Sequence, residues 1–116
     1  MTTPPYEIVS LEDVSTGIAS RRRCYVLIAP DDAGQAGAVA FDAMQETIRD
    51  GADVGFVFVY DDWQQVGKTA AIARATYVRR GIPKQAVPLP LPAESTQVRE
   101  TVTGRITVMV DRVGVA

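Results

Sequence analysis

Between Asp53 and Asp61 the chain runs Val-Gly-Phe-Val-Phe-Val-Tyr, apolar throughout and without alternation. β-branched and aromatic residues dominate this run, so it reads as a strand. A strand in a sheet with one wet face alternates apolar with polar residues; this one does not, so both of its faces need cover. That demand falls on a chain of only 116 residues. Such a length makes one domain, since domains run ~100–200 residues. At 47% apolar and 22% charged, the composition supports a single hydrophobic core and argues against wholesale disorder.

The rest of the chain supplies the other elements. Residues 1–5 read as a Pro-containing tail. Tyr6–Leu11 alternates loosely and reads as a first strand, and Asp13–Gly17 carries turn residues. Arg21–Arg23 leads into Cys24–Ala29, a short apolar run bounded by Pro30, which reads as a central strand. A helix follows over about residues 32–50, with Asp32 as its N-cap. Its apolar stripe is Gly37, Phe41, Met44 and Ile48 with Ala40 beside them, and Gly51 is its stop. Phe41, Met44 and Ile48 are expected to face Val26, Ile28, Phe56 and Phe58, or their alternates, across the sheet.

Residues 67–80 carry two patterns. The alanines of Thr69–Ala75 favour a helix. The alternation of Ile72, Arg74, Thr76, Val78 and Arg80 with Ala71, Ala73, Ala75 and Tyr77 favours a strand. The strand is preferred, because a helix would bring Arg74 onto an apolar stripe. Residues 82–95 are Pro-rich and read as an extended polyproline linker crossing the sheet or its edge. Gln97–Thr103 and Arg105–Asp111 alternate again, as a hairpin around Gly104 or one long bent strand. The expected fold is a single α+β domain with a mostly antiparallel twisted sheet of about four to six strands. One main helix packs on one face, in β-β-α-β-β order with C-terminal strand or strands added.

That order resembles a family of small uncharacterised bacterial α+β domains of unknown function. The residues that carry the resemblance lie within 6–82. They are Tyr6-Glu7-Ile8-Val9, Asp13-Val14-Ser15-x-Gly17, the strand ending Tyr60-Asp61-Asp62, and Ala73-Arg74-Ala75-Thr76-Tyr77 with Gly81. Where the family has Ala-Pro before the final Gly, this chain has Arg79-Arg80. The resemblance implies the strand at 69–79 and supplies no activity.

Composition removes several chemistries. With no His, the chain has no Ser-His-Asp or Cys-His nucleophile and no His metal ligand. Its single thiol, Cys24, lies in an apolar run and reads as a small buried hydrophobe. No apolar run approaches the ~18 residues of a membrane span. The opening Met-Thr-Thr-Pro-Pro-Tyr lacks the basic and apolar regions of a secretory signal. A soluble cytoplasmic protein is expected, with no cofactor and no membrane partner. The net charge of −2 argues against a dedicated nucleic-acid binder.

Three motifs invite chemistry. Gly67-Lys68-Thr69 ends like a phosphate loop, but Asp62 stands where the first loop glycine belongs, so a polar turn is expected. Asp31-Asp32 and Asp61-Asp62 end two strands, and a crossover helix between parallel strands would bring both pairs to one sheet end. Oxygen ligands there suit Mg²⁺ or Ca²⁺, though capping and turn roles explain each pair. Residues 63–93 hold Lys68, Arg74, Arg79, Arg80 and Lys84 with no acid, near Trp63 and Tyr77. An acidic protein fits Arg74, Arg79, Arg80 and Lys84 as partner-binding residues, although charge runs are usually solvated faces, and charges that face solvent or pair with the acidic helix face of the same molecule explain them without a partner.

The reading that follows is a non-enzymatic protein-interaction module that self-associates. One helix covers one sheet face, so the other face, or the edge at Arg105–Asp111, is expected to be buried in a two-fold homodimer. The rival is residues 82–95 folding across that face. The alternative function is a small ligand- or metal-binding domain, or an enzyme, using Asp31, Asp32, Asp61, Asp62 or Lys68.

Overall fold

Arg21–Ile28, here β2, opens with three half-buried arginines and then alternates in burial, with Cys24, Val26 and Ile28 buried and Tyr25 and Leu27 half-buried. It pairs antiparallel with β1, Tyr6–Asp13, across a turn in which the Val14 N–H donates to the Arg21 carbonyl at 3.0 Å. The computed structural model describes residues 3–17, 19–82 and 95–110. Within them the chain continues as α1 (Ala36–Thr47), β3 (Val54–Tyr60), β4 (Ala73–Arg79), β5 (Ser95–Glu100) and β6 (Gly104–Val110). The strands form one six-stranded sheet in the order β1-β2-β3-β4-β6-β5. Only β2 and β3 run parallel among these pairs, because α1 returns the chain between them; the rest are antiparallel. The fold is α+β, and residues 73–79 are strand.

The helix differs in two respects from its expectation. It begins with a 3-10 segment over Pro30–Gln35, and Asp32 makes no side-chain cap. Proline favours a helix start because it lacks the N–H that would go unbonded there. The buried stripe is also rotated: Ala36, Val39, Ala40, Ala43, Met44 and Thr47 face the sheet, and Phe41 and Ile48 flank it half-buried. Small residues on this stripe bring the helix close to the strands. Gly55 on β3 makes room for it, since a Cβ there would stand 2.7 Å from the Met44 sulfur and 2.9 Å from Ile48 Cγ2. The helix ends as expected near Gly51, whose φ of +86° suits glycine and whose N–H donates to the Ile48 carbonyl at 2.9 Å.

The register sorts every strand residue onto one of two faces. Cys24, Val26, Ile28, Val57, Val59, Ala73, Ala75, Tyr77, Ile106 and Val108 form the core under α1. The alternates Arg23, Tyr25, Phe56, Phe58, Arg74, Thr76, Thr107 and Met109 lie on the helix-free face. Phe56 and Phe58 therefore point away from the helix, and Val57 and Val59 take the place expected for them. Around Phe56, a smaller cluster gathers Ala19 and Val54, with Phe58 and Ile82 against it.

The C-terminal strands extend the sheet sideways and do not cover its second face. They form the hairpin, but β6 is inserted between β4 and β5. The edge expected at Arg105–Asp111 is thus interior over Gly104–Val110, and β5 is the edge. Most of the Pro-rich segment 82–95, and the tail residues Met1 and Thr2, lie outside the described residues.

Candidate functional site

The helix-free face is where the chain places its unusual chemistry. Arg21 and Arg23 of β2 are two residues apart and so share this face. The Arg21 guanidinium lies 5.0 Å from the centre of the Phe56 ring, and that of Arg23 lies 5.4 Å from the centre of the Tyr25 ring. Tyr25 and Phe58 are tilted neighbours with ring centres 5.7 Å apart. These cations over aromatic faces are held by the ring quadrupoles.

The two arginines differ in their remaining partners. Arg23 is bound to Glu12 of β1, with Nη2 at 2.8 Å and Nε at 2.9 Å from the same carboxylate oxygen. That bond keeps its guanidinium charged even more firmly than usual. Arg21 makes no ion pair with a described residue, and its Nε is buried without a hydrogen-bond partner. Val14, Arg21, Arg23, Phe56 and Phe58 line a cleft of about 250 Å³.

The expected basic residues fall into three situations. Arg74 sits half-buried on the same face, in register between Phe58 and Met109. Arg79 closes β4, with Nη1 3.3 Å from an Asp53 carboxylate oxygen. Arg80 follows in the turn, donating from Nη2 to the Thr101 carbonyl at 2.8 Å and from its N–H to the Thr103 carbonyl at 3.0 Å. Arg79 and Arg80 meet Glu100 and Arg105 around a second cleft of about 360 Å³, which Arg74 does not line. Each of these guanidiniums is already engaged, Arg105 with Glu100 at 2.7 Å. Lys84 lies outside the described residues.

The remaining motifs find structural employment. Asp62 caps a short 3-10 turn by accepting the Gln64 N–H at 3.0 Å. Because β2 and β3 are parallel, Asp31-Asp32 and Asp61-Asp62 do follow the same end of the sheet. Yet no three carboxylates converge into a metal-holding group among the described residues. Lys68 is exposed, and its carbonyl accepts the Tyr60 hydroxyl at 2.7 Å. Burial pushes the Cys24 thiol up, away from the reactive thiolate.

Sequence reasoning treated Arg21–Arg23 as mere entry into a strand and so missed Arg21, Arg23, Phe56 and Phe58 as one surface. The signal was present: Arg21, Arg23, Tyr25 and Leu27 alternate with Arg22, Cys24, Val26 and Ile28. Pairing with Phe56 and Phe58 depends on the β2–β3 register, which no local pattern specifies. No protein-family model, no curated protein and no solved structure matches the chain. No helix of the described residues is long and apolar enough to cross a membrane.

Proposed function

We propose that the chain is a non-enzymatic protein-interaction module of the cytoplasm that self-associates by pairing its β5 edge with that of a second copy. The observation that carries this reading is the contrast between the two sheet edges. β1 is interrupted by a register shift between Ile8 and Ser10, a bulge that spoils it as a template. β5 pairs with β6 in unbroken register from Ser95 to Glu100, and its Val98 is 55% exposed.

The geometry supplies a register for the pairing. The Thr101 N–H donates to the Gly104 carbonyl at 2.8 Å, closing the β5–β6 turn. Hydrogen-bonded pairs alternate along an antiparallel ladder, so Arg99 and Gln97 bond inward to β6. Thr96, Val98 and Glu100 then direct their N–H and C=O groups outward. A two-fold axis at Val98 lets each Val98 exchange both bonds with its counterpart and brings each Thr96 opposite a Glu100. The contact is small, in the class of weak interfaces.

The test is the mass in solution by sedimentation equilibrium at about 5 and about 200 µM, a range that brackets weak association. The wild type is expected to shift toward dimer at the higher concentration. Val98→Pro removes the central outward N–H without touching the β6 ladder, so it is expected to stay folded and monomeric. Val98→Lys is expected to act likewise through edge charge. A wild type that stays monomeric, or folded Val98 variants that dimerise as well as it does, contradicts the reading.

A further inference from the structure

We infer that the cleft between Arg21 and the Phe56 and Phe58 rings is a binding site for a small monocarboxylate carried on an aromatic or branched aliphatic body. This site is on the helix-free face and does not depend on pairing at β5. Three observations meet there. The floor is apolar, built from Val14, Phe56 and Phe58. The charge is unbalanced by one, because Glu12 neutralises Arg23 while Arg21 has no carboxylate among the described residues. The Arg21 Nε is buried and lacks an acceptor.

A buried donor without an acceptor is costly, and proteins rarely leave one so. A guanidinium presents Nε and Nη side by side, a fork that matches the two oxygens of a carboxylate. A small turn of the Arg21 head toward the cleft would aim that fork at a carboxylate entering above Phe56. The ligand's apolar body would then lie against the half-buried Phe58 and Val14, beside the Phe56 ring that Arg21 covers. A volume of about 250 Å³ suits a compact body of one ring or a branched chain. Drug-sized ligands take roughly 300–1,000 Å³. Arg23, held by Glu12, forms a fixed wall that steers the negative end toward Arg21.

The experiment is a titration of the ¹⁵N-labelled chain followed by amide shifts, using phenylacetate, its neutral amide phenylacetamide, and an acidic dipeptide amide as probes. Phenylacetate is expected to saturate with shifts centred on Arg21, Phe56 and Phe58, at least about tenfold more tightly than phenylacetamide, as loss of one charged fork predicts. Arg21→Gln is expected to weaken phenylacetate by a similar factor. Arg21→Lys, which keeps the charge and loses the fork, also weakens it and guards against a folding artefact. Arg49→Gln, an exposed cation that follows α1 on the opposite side of the sheet, leaves it unchanged. Equal binding of acid and amide, no saturation by either, unaltered affinity in folded Arg21 variants, or binding by the dipeptide alone overturns the assignment.

Discussion

Ser20 and Asp53 hold each other in both directions at the start of the parallel pair β2 and β3. The Asp53 carboxylate accepts the Ser20 N–H at 3.0 Å and the Ser20 hydroxyl at 3.2 Å, while the Asp53 N–H donates back to the Ser20 Oγ at 3.0 Å. The Ser20 backbone bond, with the hydroxyl and Arg79 after it, holds the Asp53 carboxyl below its ordinary range. A carboxyl depressed in the folded state adds stability above its unfolded pKa and loses it as pH falls through the folded value. Unfolding by urea between about pH 5 and pH 2 is therefore expected to show a shallower loss for Asp53→Asn than for the wild type, since the unfolded pKa lies near 3.9. Parallel curves contradict a role for this carboxylate.

The rotated helix face makes a ranking of core truncations. Met44 is fully buried over Gly55, so Met44→Ala is expected to cost about 2–5 kcal/mol. Phe41 is half-buried under the Arg99 guanidinium, 4.3 Å from its ring centre. Phe41→Ala is therefore expected to cost about 1–3 kcal/mol, below the roughly 3–5 kcal/mol of a fully buried ring. Denaturant midpoints of the two variants decide the order. A larger loss at Phe41 contradicts the observed stripe.

The Gly67-Lys68-Thr69 turn is expected to bind no nucleoside triphosphate. A phosphate cradle needs free backbone N–H groups. Here those of Gln64, Gln65, Val66 and Lys68 donate respectively to the Asp62 carboxylate, the Asp62 carbonyl, the Trp63 carbonyl and the Gln65 carbonyl. Calorimetric titration with ATP and Mg²⁺ is expected to give no heat of specific binding. Micromolar affinity abolished by Lys68→Ala contradicts this.

Local pattern carried the elements well where periodicity was strong. The apolar run Val54–Tyr60 demanded an interior strand, and β3 is interior. The alternation around Ala73–Tyr77 outweighed its alanine content because Gly55, Val57 and Val59 of β3 need small or flat partners there. Non-local order was not legible. Hairpin strands β5 and β6 look alike in sequence, and which one joins β4 depends on burial of Ile106 and Val108 over the helix. The helix stripe shifted for a similar reason: Phe41 is more apolar than Ala40 and Ala43, yet the small residues let the helix lie close to the strands, where Met44 and Ile48 meet Gly55. The arginine and phenylalanine surface needs the β2–β3 register, so its halves lay more than thirty residues apart without a visible link.

The central claim, that β5 pairs with itself about Val98, is tested most directly by amide hydrogen exchange resolved along that strand. Gln97 and Arg99 bond inward to β6, so their protection is expected to be independent of protein concentration. The outward amides of Thr96, Val98 and Glu100 are expected to exchange quickly at about 5 µM and to gain protection at about 200 µM, as weak association fills the edge. Fast exchange at all three at both concentrations, with Gln97 and Arg99 protected, contradicts the pairing.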